Sequence, residues 1–542
     1  MSTEADGTTF SDDRAPRTDV NKALMGGATY RSLSEQKLSP QEERFEKARR
    51  TSGYVLAPLA AVAVWCVPLD IEAHQQSLAA VLAAVIVLWF CETVPIPVGG
   101  LIGVSAIVLV GVAPASDVLA PFGSPTIFTF VGAFILAQAM LKHGVAQRLA
   151  YFVLALPGVG KSTVRIIVAF GVITALLSAL ISNTATVAML LPTALGILAV
   201  IARMMQEKGL VKPDFDPTRL RVGTALMLML AYGAGVGGLL TPVGAPPNLI
   251  GRGLIEEATG ERITFAQWIG AAAPVSLVLF GVLLLVLLLV NKPEVRRIEG
   301  VEGYIAERRA EQGSISRAEW NTIIAFALTV TLWLLPSVAG VVVGMDSSTY
   351  EFLDDRLNEG VVAVVGASLL FILPTNWSKR QSTLNWSDAS KIDWGTIILF
   401  GTGMIFGSLL SSTGLAETIG ENLFGTLGVG TPFAITLLAA FLALMISETT
   451  SNTASAAVVV PIVLPLAAAA GVDPMIPAMA ATLGASFGFM LPVATPQNAI
   501  VYGSGIVPIT QMIKTGIGLN VVGGLILVLM LPVTAGLVGI GA

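Results

Sequence analysis

The chain has 542 residues, 54% of them hydrophobic and 12% charged, with a formal net charge of −5 and a mean hydropathy of +0.78. Soluble domains carry roughly 25% charged residues, so this composition excludes an ordinary soluble protein and indicates a polytopic membrane protein. His74 and His143 are the only histidines, Cys66 and Cys91 the only cysteines, and no H-E-x-x-H or G-x-x-x-x-G-K-[ST] occurs; a His-rich metal centre, a metalloprotease and an ATP-driven pump are disfavoured on that ground.

Residues 1–50 are polar, lack the apolar core of a signal peptide and end in EERFEKARR. They are expected to form a cytoplasmic tail, mostly disordered. Residues 51–120 read as the first spanning helices, which the family resemblance given below implies to be scaffold, and contain WFCETVP, whose Glu92 sits near a membrane boundary as a structural residue. Apolar runs such as 266–290, 323–343 and 516–537 exceed the ~18 residues of a spanning helix. Lys and Arg cluster before residue 51 and at 142–165, 203–221, 292–317 and 379–391, whereas the connections 70–76, 346–359, 411–431 and 471–477 are acidic or bare. Basic connections stay cytoplasmic, which gives about eleven crossings with the N-terminus inside and the C-terminus outside.

Two apolar stretches return to the side they left. The first, within a core at residues 121–291, carries ISNTATVAMLLP at 181–192; the second, within a core at residues 393–542, carries TSNTASAAVVVP at 450–461. A polar triplet at the middle of each marks the tip of a hairpin that enters the membrane and comes back, with its irregular backbone facing protein or water. Other elements recur in the same order. TIFTF at 126–130 parallels TIILF at 396–400, and a Gly-x-Ala follows each at Gly144 and Gly414. TPVGAPPNLI at 241–250 parallels LPVATPQNAI at 491–500, each preceded by Gly-Ala-x-x-Gly. With opposite charge sidedness, these matches indicate an inverted-topology repeat, whose binding site belongs at the repeat interface near the midplane. A cytoplasmic loop at 292–320 and further spanning helices at 321–392, scaffold by the resemblance given below, lie between the cores.

Each Pro-Val-x-x-Pro-x-Asn segment should break a helix and start a new half, and each Ser-Asn-Thr should cap a hairpin's second arm. Four helix N-termini then face one region, each carrying about half a positive charge and free N–H donors. They suit an anion without any fixed cation: no Lys or Arg lies inside the four motifs, and Arg252, just past the first, reads as a boundary residue. Hydroxyl, amide and carbonyl oxygens at the same breaks suit a hard cation such as Na⁺. A dianion entering a negative interior works against about 2.3 kcal/mol per charge per 100 mV, so potential-driven uptake requires at least three cations. Glu448 is expected to support its hairpin by a hydrogen bond, with a direct cation or proton role as the alternative.

On these residues, with WFCETVP and both Ser-Asn-Thr hairpins, the chain resembles the divalent anion:sodium symporter family over nearly everything after Thr51. The resemblance implies an all-α fold of eleven spanning helices and two re-entrant hairpins, a scaffold and a transport domain, a homodimer in the cell membrane, and elevator-type movement. It implies a dicarboxylate such as succinate, malate or fumarate held by Ser182, Asn183, Thr184, Ser451, Asn452, Thr453 and Thr495. It also implies Na⁺ as coupling ion, at a first site of Ser178, Ser182, Asn183 and Gly244 and a second of Ser447, Thr450, Asn452 and Ala494. Ala245, Thr450 and Gln497 depart from the usual pattern, which bears on substrate choice more than on fold. A sodium-independent dicarboxylate exchanger, or a sulfate or citrate carrier, fits the same scaffold. A membrane-embedded hydrolase using Ser182 or Ser451 lacks a positioned base, so the chain is expected to be a transporter, not an enzyme, with no nucleic-acid partner.

Overall fold

A computed structural model of the chain describes residues 19, 20, 24, 40–69, 71–212, 214–344, 347–427 and 430–541. Most of the expected disordered tail lies outside these residues. Its last part does not fit that expectation: residues 40–50 run without interruption into the first apolar segment as α1 (Pro40–Cys66). Glu, Lys, Arg and Ala dominate that stretch and are strong helix formers. Glu92, the left-handed C-cap of α2 (Ala73–Cys91), holds the helix by ion pairs to Arg49 at 3.2 Å and Arg50 at 3.7 Å.

The first half continues with α3 (Ile96–Leu109), α4 (Ala115–Leu119), α5 (Pro125–Lys142), α6 (Val145–Leu154), α7 (Thr163–Ser178), α8 (Asn183–Glu207), α9 (Arg221–Gly238), α10 (Pro246–Thr259) and α11 (Phe265–Val290). After α12 (Val301–Glu311) the second half comprises α13 (Arg317–Val343), α14 (Ser348–Arg356), α15 (Glu359–Ile372), a small antiparallel hairpin of β1 (Pro374–Asn376) and β2 (Gln381–Ser382), and α16 (Trp386–Ala389). It ends with α17 (Trp394–Ser412), α18 (Leu415–Leu427), α19 (Pro432–Thr449), α20 (Asn452–Ala469), α21 (Met475–Gly484), α22 (Pro496–Gly503) and α23 (Ile509–Gly536). Nine of the described helices are long and apolar enough to cross a membrane, and the three runs singled out in the sequence fall in α11, α13 and α23.

The packing repeats as the sequence does. α3 lies on α17 and α15 on α5; α7 lies on α9 and α19 on α21; α11 and α23 pair with each other. Both halves turn between a long and an amphipathic helix through a glycine at φ 72°, Gly144 before α6 and Gly414 before α18, a left-handed conformation that other residues rarely adopt.

The helices fall into two packed groups. One contains α1, α2, α3, α5, α13, α15 and α17; the other contains α7 to α11 and α19 to α23. They meet chiefly where α10 lies on α17, with lesser contacts of α11 on α13 and α20 on α17. The connections read as plain charged or bare loops contain helices of their own, α6, α12 and α18, and these lie at the edges of the second group, α18 along α20 and α12 beside α6 and α8.

Candidate functional site

Both hairpins turn at the predicted triplets. α7 ends at Ser178, and α8 starts at Asn183 with Ser182 as an extended N-cap whose Oγ accepts from Ala185 N at 3.3 Å. α19 ends at Thr449, and α20 starts at Asn452 with Ser451 as N-cap, accepting from Ala454 N at 3.2 Å. A serine on each first arm steadies the asparagine on the second. Ser178 Oγ donates to Asn183 Oδ1, and Ser447 Oγ shares its hydrogen between Asn452 Oδ1 at 2.7 Å and the Ala485 carbonyl at 2.6 Å.

The broken helices are as symmetric. α9 stops at Gly238 and α10 starts at Pro246; α21 stops at Gly484 and α22 starts at Pro496. The asparagine of each motif ties its break closed. Asn248 Nδ2 donates to the carbonyls of Gly238 (2.7 Å) and Thr241 (2.8 Å), and Asn498 Nδ2 to those of Gly488 (2.7 Å) and Leu491 (3.1 Å). Carbonyls freed by a helix break and buried away from water need such partners. Asn248 and Asn498 were absent from the residues singled out for the site; the signal was their identical place in the shared motif.

Glycine lets each hairpin reach its break. A methyl group built on Gly238 would lie 2.6 Å from Asn183 Oδ1 and 3.3 Å from the Ala245 methyl, and one on Gly244 would lie 2.6 Å from the Gly238 carbonyl and 3.1 Å from the Ser178 carbonyl. Four of these oxygen-bearing or small residues, Ser178, Asn183, Gly238 and Gly244, thus surround one small space. In the second repeat a methyl on Gly488 would lie 2.8 Å from Asn452 Oδ1 and 3.1 Å from both Ala494 Cβ and Thr495 Cγ2. The donor set is oxygen only, which suits a hard cation.

Thr450 Oγ1 donates to the Ile446 carbonyl at 2.8 Å, which turns its hydrogen away and leaves the hydroxyl lone pairs and the backbone oxygen for a ligand. Thr495 Oγ1 accepts from Asn498 N at 3.3 Å as the N-cap of α22, whereas Ala245 leaves α10 without a side-chain cap. Ser182, Thr184, Ser451, Asn452 and Thr453 are half-buried, and Ser178, Asn183, Ser447, Thr450, Ala494 and Thr495 are buried. The halves interlock, because α10 packs on α20 of the other repeat and α22 on α8. The breaks also touch: the Phe489 ring lies 5.2 Å from that of Tyr232 and closes over Gly235.

Glu448 is 2% exposed, and N–H donors surround its carboxylate. Oε1 accepts from Phe489 N (2.7 Å), Met490 N (2.9 Å) and Asn520 Nδ2 (2.5 Å), and Oε2 from Met490 N (3.1 Å) and Leu491 N (3.3 Å). Its oxygens serve the break and leave little acceptor capacity for a cation. In the first repeat Ala179 takes its place, and there too the break donates to the hairpin: Thr241 Oγ1 donates to the Ala179 carbonyl.

One reading of a single residue changes. Arg252 is not a boundary residue: it is 4% exposed and paired with Glu256 at 2.9 Å and Glu359 at 2.6 Å. Its partner Glu359 belongs to α15, a segment far away in sequence. His143 lies at the end of α5, with Nε2 2.8 Å from the Thr383 carbonyl. Among the described residues no cluster of His, Cys, Asp or Glu could hold a metal ion.

A family profile described as the sodium:sulfate symporter transmembrane region matches residues 49–537. A sodium-dependent dicarboxylate transporter, SdcS, of Staphylococcus saprophyticus is 30% identical over 521 residues, covering 94% of this chain and 96% of that protein. The SdcS of Staphylococcus aureus is 31% identical over 461 residues, covering 83% of this chain and 84% of that protein. Among solved structures, the YdaH transporter of Alcanivorax borkumensis aligns with a TM-score of 0.50 over 78% of this chain and 88% of that one at 14% identity, a likeness of fold alone.

Proposed function

The chain belongs to the sodium:sulfate symporter family, the divalent anion:sodium symporters of the sequence resemblance, and we propose that it couples a sodium gradient to the uptake of C4-type dicarboxylates. The names of its Staphylococcus relatives support both the ion and the substrate class. The observation that carries the reading is the doubled asparagine amide. Asn183 Oδ1 faces the oxygen-lined space beside Gly238 and Gly244, and Asn452 Oδ1 the corresponding space beside Gly488. Each Oδ1 serves a sodium ion, and the Nδ2 donors on the other arm of the same amides serve a substrate carboxylate.

One sodium binds Ser178, Ser182, Asn183 and Gly244, and a second binds Ser447, Thr450, Asn452 and Ala494. The dicarboxylate is held by Ser182, Asn183, Thr184, Ser451, Asn452, Thr453 and Thr495 together with the N-termini of α8, α10, α20 and α22. A planar amide fixed by the ion presents its donors in one direction, so the ion prepares the anion site and lowers the ordering cost of binding. No lysine or arginine lies in the four motifs, which keeps binding moderate and release possible. The group containing both hairpins and both broken helices is the transport domain and moves against the scaffold in each protomer of a homodimer. The N-terminus is cytoplasmic and the C-terminus extracytoplasmic.

Coupling of this kind is reciprocal. Purified protein titrated with succinate should show a dissociation constant at least tenfold lower in sodium than in potassium buffer, followed by thermal shift or calorimetry. Succinate should in turn lower the half-saturating sodium concentration, by about threefold where the tenfold coupling is shared equally by two ions. Equal succinate affinity in the two buffers would contradict sodium coupling and favour a sodium-independent exchanger on the same site.

A further inference from the structure

The interface between the two helix groups is mostly smooth. Where α10 lies on α17, Gly253 faces the Phe400 ring and Leu254 faces Gly407. Such apolar surfaces attract without direction, and they can shift past one another without leaving a specific partner behind. One place differs. Arg252, on α10, donates from Nη1 to Glu359 Oε2 at 2.6 Å, with the two side chains 4% and 9% exposed. Glu359 belongs to α15 in the other group. Its second oxygen accepts from Phe265 N, at the start of α11, at 3.0 Å. The surrounding contacts also cross between the groups: Arg262, in the loop after α10, pairs with Asp354 of α14 at 3.1 Å, and the Phe265 ring stacks on Trp333 of α13 at 4.9 Å.

We propose that Arg252 and Glu359 form a latch that fastens the hairpin-bearing group to the scaffold at one end of its travel and opens in every transport cycle. The proposal rests on the reading that this group moves as a body. A directed, buried ion pair is either made or broken, so it turns a sliding contact into a discrete state. Each partner also keeps support when the latch opens. Glu256, on the same helix as Arg252, binds Nε at 2.9 Å and travels with it, so the guanidinium is never left without a counter-charge. Glu359 is the first residue of α15, where the N-terminal end of the helix favours a carboxylate. By the charge asymmetry of the connections, the latch lies toward the extracytoplasmic side.

The test measures distance directly. In full-length protein carrying Cys66→Ser, spin labels at Ala258→Cys on α10 and Thr349→Cys on α14, which packs on α13 of the scaffold group, both exposed positions, report on the two groups in reconstituted membranes. With Glu359 intact, the distances should form two populations, one matching this structure. Glu359→Gln, which keeps the shape and removes the charge, should lower that population at least threefold, and Glu359→Asp should lower it less. Succinate affinity should stay within twofold of the unaltered protein, because Glu359 is outside the binding site. Two populations with an unchanged ratio in both variants would overturn the latch and leave the moving-body reading intact. A threefold loss of affinity at unchanged distances would also overturn it, because Glu359 would then be acting on the binding site. A single population under every combination of sodium and succinate would overturn the moving-body reading and the latch with it.

Discussion

Ser178 and Ser447 occupy equivalent places in the two hairpins, and each reaches the asparagine five positions on. Such residues were legible because polar side chains stand out in apolar sequence and recur in pairs. What each one touches was not legible. Glu448 stood out as an intramembrane acid, yet its partners Phe489 and Asn520 lie 41 and 72 residues further along the chain, and only the tertiary fold brings them together. Arg252 was misread for the same reason, since its place beside a motif says nothing about the helix that covers it. Glu448→Gln replaces one acceptor oxygen with an N–H₂ facing backbone N–H groups. It should cost about 2–3 kcal/mol of stability, read as a fall in unfolding temperature, with a higher half-saturating sodium concentration as the second break loosens. Unchanged stability with loss of the sodium response alone would make the carboxylate an ion ligand instead.

At the scale of elements, hydropathy finds the long helices and Pro-Val-x-x-Pro-x-Asn finds the breaks, because both signals are local. It misses α6, α12 and α18, short helices in stretches that read as connections, whose apolar faces are covered by segments distant in sequence. Arg148 organises this layer. From α6 it pairs with Glu319 at 2.6 Å in the first turn of α13 and donates to the carbonyls of Gln312 (3.1 Å) and Gly313 (2.9 Å), just past the end of α12. The guanidinium fork, which also reaches the Ser314 carbonyl at 3.4 Å, serves four acceptors from three spread nitrogens, more than the three N–H donors of one ammonium can. Arg148→Lys should therefore raise hydrogen exchange at the C-terminal end of α12 and the loop to α13, with little change in α8. Unchanged exchange there would show that α12 is held by its apolar face alone.

Across the whole molecule, the repeat was readable from matched motifs in matched order, and the packing of the two halves repeats with it. The crosswise contacts, α10 on α20 and α22 on α8, were not readable. They matter because each repeat's break packs on the other repeat's hairpin, so neither half completes the site alone. In the proposed mechanism, ions bound beside Asn183 and Asn452 orient a single anion between them, and the whole account depends on that coupling. Two sodium ions only neutralise a dianion, so uptake driven by membrane potential requires a third cation. The most direct measurement is labelled-succinate uptake into proteoliposomes of the purified protein under an inward sodium gradient or an equal potassium gradient. The account predicts concentrative uptake with sodium only; two sodium ions per dianion leave it indifferent to membrane potential, and enhancement by an inside-negative potential would reveal a third cation. Uptake indifferent to sodium but dependent on internal succinate would contradict it.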